Sequence, residues 1–430
     1  MLMVGTAVLT GIVLTIVDVT IGTDWTEPFY YAFGVGAEGA RGMLGAIAGS
    51  MMTVASLTFS LTITTLATAS TQYTSRLVRN FMRDRINQFV LGYFVGLFAY
   101  CLVVMRTIRS GDDNQFVPAI AVLVGLVGAL VSIIVLIYFI HHIAESIQAG
   151  TILKRVTNET LEAIDKLFPS QAAEPMSDEL PSHTNTLPAQ PSENERAVQL
   201  DRFGYVRSID TDTLMEIATE RDTMIRLVVD VGQFVTPQSD VCTLVCDEPL
   251  DDETCERLKA SFETGPARTI EQDAAFGIRQ IVDIAMKALS PGVNDTTTGV
   301  MSIEHLGVIV ERLADRDIPD RVRGKDGNIR LLTGGRSFAT LVAGSFDQIR
   351  QCASGNVAVL EAMFNALAHA GRQTDEADRR AVLAKHVGLV QEVVEESIKC
   401  VSDATPLQIL GSKTLLALQL PPVTAKQRGM

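Results

Sequence analysis

The hydrophobic and polar positions of this chain divide it into two unlike parts. Four long apolar runs lie before about residue 145, at Leu2 to Val17, Arg41 to Ser70, Phe89 to Ile108 and Phe116 to Ile143. A helix rises 1.5 Å per residue and a bilayer core is ~30 Å thick, so the later three are long enough to span and the first, at sixteen residues, is short. The pattern therefore predicts a four-helix transmembrane domain over 1–145. A helical extension follows over 146–168. The stretch 169–196 brings five prolines among few bulky apolar residues and is expected to be a disordered linker. From 197 to 250 the period becomes strand-like, GYVRSIDTDTL and then MIRLVVDVGQFVTPQSDVCTLV, which predicts a small β-module. Its glycine and valine spacing resembles a barrel-sandwich hybrid fold, without the lysine that carries a cofactor in such folds. Amphipathic helices fill 251–402, and 403–430 reads as a C-terminal tail. The expected fold class is an α-helical integral membrane protein with an α+β cytoplasmic domain.

The second run differs from a plain lipid anchor. Ser56, Ser60, Thr64 and Thr68 recur every fourth residue along one helical stripe, and Thr58, Thr62 and Thr65 form another. Such a stripe faces either water in a pore or another helix. Serine and threonine can also satisfy themselves on the carbonyl four residues back, so tight packing is the competing reading. Gly42, Gly45 and Gly49 place a small-residue face at the start of the same helix, suited to close approach within one bundle or between subunits.

Charge fixes an expected orientation. The 72–88 loop holds Arg76, Arg79, Arg83 and Arg85 against Asp84, whereas Asp18 to Glu38 holds four acids and no lysine or arginine. The basic loop belongs inside, so both termini are expected in the cytoplasm of a bacterial inner membrane, with the arginine cluster near anionic headgroups. The N-terminal run has no basic leader region or small-residue cleavage site and reads as a retained anchor. Arg106 and Arg109, close to Asp112 and Asp113, are candidates for an outer-mouth cluster, with snorkelling to headgroups the alternative.

The net charge of −14, mostly beyond the apolar half, argues against nucleic acid as a partner. Six cysteines without CxxC spacing make neither a zinc site nor a disulfide framework, and all six read as free thiols. Histidines are few, and Glu304 beside His305 diverges on a helix. No catalytic motif, metal set or cofactor-binding loop is present, so no enzymatic activity and no cofactor are expected. The most unusual soluble string is ALSPGVNDTTTGV. Its Ser290, Pro291, Gly292, Asn294 and Asp295 form either a tight helix–helix turn or a ligand or subunit-contact site, with Asn294 or Asp295 capping the following helix.

Three strings, FSLTITTLATASTQYTSRLVRNFMRDRINQFVLGYFVGLFAYCLVVMRTIR, IYFIHHIAESIQ and EQDAAFGIRQIVDIAMKALSPGVND, resemble in order the bacterial predicted membrane proteins of the domain-of-unknown-function 2254 family. The resemblance spans nearly the whole chain. It implies four membrane helices and a cytoplasmic C-terminal domain, with no assigned activity. Together these readings point to a membrane protein acting as a homo-oligomer among membrane lipids. Its favoured role is a channel-like conduit lined by the second helix. The alternative is a membrane-bound sensor or scaffold whose cytoplasmic domain binds a ligand or protein.

Overall fold

Apolar helices whose hydrogen bonds all close internally are what a hydrocarbon solvent permits, and four of them build the first part of the computed structural model. The structure describes residues 1–21, 36–72, 85–111, 114–168, 195–245, 250–318, 322–325 and 328–419. These form two compact units, Met1–Thr151 and Ile152–Met430.

In the first unit, α1 (Leu2–Ile21), α2 (Ala37–Gln72), α3 (Arg85–Thr107) and α4 (Ala119–Ser146) are each long and apolar enough to cross a membrane. Helix α1 gains a turn over the expected run because Asp18 is drawn into it. Helix α2, at 36 residues, reaches about 54 Å and exceeds a hydrocarbon core. Between α3 and α4 the expected turn is a hairpin of β1 (Arg109–Gly111) and β2 (Asn114–Phe116).

The four helices alternate in direction, and three polar contacts at one end of the bundle fix this. Asp18, only 4% exposed, accepts from the Ile120 and Ala121 amides at 3.0 Å each, capping α4 from α1. The N-cap position of α4 is Pro118, which supplies no side-chain acceptor, so the neighbouring helix does it instead. Tyr100 donates to the Ala121 carbonyl at 2.7 Å, and Arg41 donates to the Ile108 carbonyl at 2.5 Å. Deeper in, Phe94, Leu97, Cys101, Leu44 and Phe139 make a core in which helices approach over small residues. Gly11 lies against Tyr100, Gly96 against Met3 and Ala7, and Gly128 against Leu97.

The second unit opens with α5 (Ala149–Leu167), which buries Ile152, Leu153, Val156, Ala163 and Ile164. The 197–250 stretch does not close into a barrel-sandwich. Its strands enter two sheets, and helix α6 (Thr211–Glu220) interrupts them, capped by Asp210 on the Asp212 and Thr213 amides. Strands β3 (Glu195–Gln199), β7 (Asp240–Val245) and β5 (Ile225–Leu227) join β10 (Asn328–Leu332) and β9 (Val322–Lys325), in the order β3-β7-β5-β10-β9. Only the β5–β10 pair is parallel, and it is made across a hundred residues of sequence. Strands β6 (Phe234–Val235), β4 (Gly204–Ile209) and β8 (Phe262–Gly265) form a small antiparallel sheet, with α7 (Asp252–Ala260) leading into β8. The sequence period located the strands but not the partners, which come from beyond residue 250.

The helical remainder contains α8 (Ala274–Ala288), α9 (Thr296–Ala314), α10 (Phe338–Cys352), α11 (Val357–Gly371), α12 (Ala377–Ser397) and α13 (Val401–Gln419). The expected tail is thus helical to Gln419, and it docks on α11 and α12 through buried Leu407 and Leu418. Two adjacent arginines close helix ends. Arg379, 7% exposed, donates to the Leu313, Ala314 and Arg316 carbonyls at 3.2, 3.1 and 2.6 Å, ending α9. Arg380 donates to the Leu418 carbonyl at 3.0 Å and to that of Ala417, ending α13. The 169–194 part of the expected linker lies outside the described residues, and Glu195 and Arg196 already belong to β3.

Candidate functional site

Helix α2 presents two opposite faces. Ala40, Leu44, Ala48, Met51 and Ala55 are buried, and Thr58 and Thr65 continue that face into the bundle at 1% and 6% exposed. Thr58 donates to the Val54 carbonyl at 2.7 Å and half-buried Thr62 to the Thr58 carbonyl at 2.8 Å. The second hydroxyl stripe is therefore the packed one, its polarity absorbed by its own helix.

The first stripe faces away from its own bundle. Ser56, Ser60 and Thr64 are exposed and Thr68 is half-buried. Ser56 donates to the Met52 carbonyl and Thr68 to the Thr64 carbonyl, each at 3.0 Å. Exposed Thr53 and Gly49 and half-buried Gly45 extend this face toward the start of the helix, and among the described residues no atom lies within 4 Å of the space a side chain would fill at Gly42, Gly45 or Gly49. Among the described residues the three glycines do not pack within the same bundle. The result is one continuous ribbon of small and hydroxyl residues on the outside of the bundle, flanked by exposed Met52, Phe59 and Ile63.

Arg106 lies in the last turn of α3 and Arg109 begins β1, both exposed. Asp112 and Asp113 lie outside the described residues, as do Arg76, Arg79 and Arg83. Arg85 begins α3. What residue types alone missed at the Arg41 end is the capping of α4 by Asp18, because its partners are backbone amides a hundred residues away.

In the second unit the Ser290 to Asp295 turn is self-satisfied. Ser290 donates through its hydroxyl to the Lys287 carbonyl at 2.7 Å, and its own carbonyl accepts the Asn294 amide at 2.9 Å. Asn294 takes a left-handed φ of 51°, and Asp295 rather than Asn294 caps α9, accepting from the Thr298 amide at 3.0 Å and hydroxyl at 2.6 Å. Those bonds, the hydroxyl first, hold the Asp295 carboxyl below its usual range. Pro291 and Gly292 are exposed. Asn294 borders an open polar cleft of about 500 Å³ shared with Cys352 and the Ser354 to Ala358 loop, where Asn356 donates to the Thr296 hydroxyl at 2.9 Å. This is the helix–helix turn of the plainer reading, with a cleft beside it.

A more enclosed cavity, about 200 Å³, lies at the start of α8, within the EQDAAFGIR string. Asp273, 4% exposed, caps α8 on the Phe276 amide at 3.1 Å and takes Arg268 through both Nε and Nη2, at 2.9 and 2.6 Å. Arg268 in turn stacks over the Phe276 ring, 4.8 Å from its centre. Gly232, at a φ of 90°, lies so close over this pair that a side chain there would collide with both. A second cation, Arg336, stands 3.6 Å from Asp273. Asp before AAFG was a legible capping signal, but its two arginine partners were not. Among the described residues no group of three or more histidine, cysteine or acidic side chains is arranged to hold a metal.

The family described as predicted membrane protein DUF2254 matches residues 1–369. Uncharacterized proteins of Mycobacterium tuberculosis and Mycobacterium bovis are each 34% identical over 402 residues, covering 91% of this chain and 75% of each relative. No solved structure matches. The matched span takes in the four apolar helices and the EQDAAFGIR string, and the chain belongs to the DUF2254 family of predicted membrane proteins.

Proposed function

We propose that this protein is a homo-oligomeric, channel-like conduit of the bacterial inner membrane, with both termini cytoplasmic and α2 at the contact between subunits. One observation carries the reading. The ribbon from Gly45 through Gly49 and Thr53 to Ser56, Ser60 and Thr64 faces outward, on a helix whose other side is fully packed. Glycine and hydroxyl residues gain little from lipid tails, whereas they let helix backbones approach closely and offer hydroxyls to a neighbour or to water. The single bundle is filled by Phe94, Leu97, Phe139 and Leu44, so a path for solute belongs between subunits rather than inside one. On this reading Arg106 and Arg109, at the end carrying Asp18 and Arg41, face outside, and the 72–88 arginines face the cytoplasm. Membrane lipids and further copies of the chain are its partners, and it performs no chemistry.

The test uses single cysteines at Ser60 and, as a buried control, Ala55, with Cys101 replaced. A water-lined ribbon makes S60C reactive to a small hydrophilic thiol reagent in membranes and leaves A55C protected. Gly49→Cys should cross-link between subunits. Protection of S60C, absence of cross-linking and no solute flux from proteoliposomes would together reject the conduit. The sensor or scaffold reading would then lead, favoured by the cleft beside Asn294.

A further inference from the structure

We infer that the cavity at the start of α8 is a binding site for a small aliphatic monocarboxylate, held by Arg336. Its walls are mainly apolar, including Leu227, Val231, Ala275, Ile318 and Leu341, and its volume is about 200 Å³. An apolar cavity of ~150 Å³ accepts a benzene-sized body, so this one suits a body of about six to eight heavy atoms.

The polar groups around it are unequally committed. The Asp273 carboxylate is spent on the Phe276 amide and on the Nε and Nη2 edge of Arg268. Arg336 is left with a 3.6 Å approach to that same carboxylate, an ion pair too long to be a hydrogen bond. Its guanidinium, one-third exposed, forms no hydrogen bond among the described residues and lines the cavity. Gln272 turns its carbonyl oxygen to the Ile209 amide at 3.1 Å, which leaves its amide hydrogens free to donate. Ala274 and Ala275, the first residues of α8, also line the space.

A planar guanidinium fork, an amide donor and a helix start beside an apolar chamber match a carboxylate with a hydrocarbon body. Asp230 also lines the cavity, and with Asp273 it opposes a second negative charge, which favours a monocarboxylate over a phosphate dianion. Free short-chain acids and fatty acids released from membrane lipid share this chemistry.

Ligand-observed nuclear magnetic resonance titrations on the full chain in lipid nanodiscs test the site, with hexanoate, octanoate and palmitate as probes and octanol and inorganic phosphate as comparators. Octanoate should bind, and octanol and phosphate should bind at least roughly tenfold more weakly, the factor expected for losing one charge-assisted hydrogen bond. Tightest binding at six to eight carbons points to a free acid, and binding that strengthens to palmitate points to a membrane-derived one. Arg336→Gln should weaken octanoate by about the same factor, with partial recovery in Arg336→Lys. Ala275→Leu, which fills the chamber and leaves the cation, should abolish it. Thermal midpoints without ligand establish that each variant is folded. Equal binding of octanol and octanoate, or unchanged octanoate binding in folded Arg336→Gln or Ala275→Leu, overturns the assignment. No flux is measured here, so failure of this site leaves the conduit reading standing, and the converse also holds.

Discussion

At the scale of single residues, helix ends are finished by side chains from elsewhere in the sequence. Asp18 begins α4 from α1, Arg379 ends α9 and Arg380 ends α13. None of these pairings leaves a local signature, so they were not legible, whereas the local caps at Asp210, Asp295 and Ser337 follow from residue type and position. The buried guanidinium of Arg379 serves three carbonyls and rests over Phe338. Arg379→Ala takes this donor from all three carbonyls, of which that of Leu313 keeps the Arg316 amide at 3.3 Å, and it should lower stability by about 3 kcal/mol in denaturant titration, with Arg379→Lys recovering only part. Two histidines add a pH dependence. Burial, foremost, lowers the pKa of His305 and of His386 from the ordinary 6.5. Thr157 meets the His305 ring at 2.8 Å, and Asp347, 3.6 Å from His386, only partly offsets burial against Lys385 and Arg350. The unfolded chain therefore binds protons more readily than the folded one. Stability is fully present above about 6.5 and falls as pH drops below it. Urea midpoints measured from pH 7.5 to 5.5 should decline, and His386→Gln should flatten the decline.

Among the elements, the spanning helices were legible because lipid demands long uninterrupted apolar runs, but their ends were not: α2 begins at Ala37 rather than Arg41, α3 at Arg85 rather than Phe89 and α4 at Ala119 rather than Phe116. The stripes on α2 were legible too. Which of them faced inward was not, since both repeat at helical spacing and differ only in what the other helices present. The β-stretch misled for a related reason. Period two marks a strand but says nothing of its neighbour, and here β5 pairs with β10 and β4 with β8. Two glycine substitutions separate the faces that matter. Gly277 of α8 sits against Thr160 of α5, where a methyl group would strike the threonine side chain. Gly277→Ala should cost about 1–3 kcal/mol through overpacking, read as a lower thermal midpoint. Gly49→Leu meets open space and should leave subunit stability nearly unchanged while dissociating the proposed oligomer, read by size-exclusion with light scattering.

For the whole molecule, the charge asymmetry of the two loops sets the expected orientation. A cysteine at position 80 should react with an impermeant reagent only in inside-out vesicles, and labelling in intact cells would reverse the topology. The cavity of the second unit was not legible in the sequence. Residue types singled out the Ser290 to Asp295 turn, and EQDAAFGIR entered only as part of a family resemblance; the cavity at the start of α8 also needs Arg336 and Leu341 from far downstream, and only folding brings them together. The contact between Asp18 and the start of α4 bears finally on the order in which the chain is made. A ribosome releases α1 about a hundred residues before 120 and 121, and until those follow, a carboxylate at the end of an apolar helix is without its eventual hydrogen-bond donors. Nascent chains halted before residue 119 should therefore be conspicuous substrates for membrane proteases, and Asp18→Leu should make them longer-lived while depriving the finished protein of its clasp.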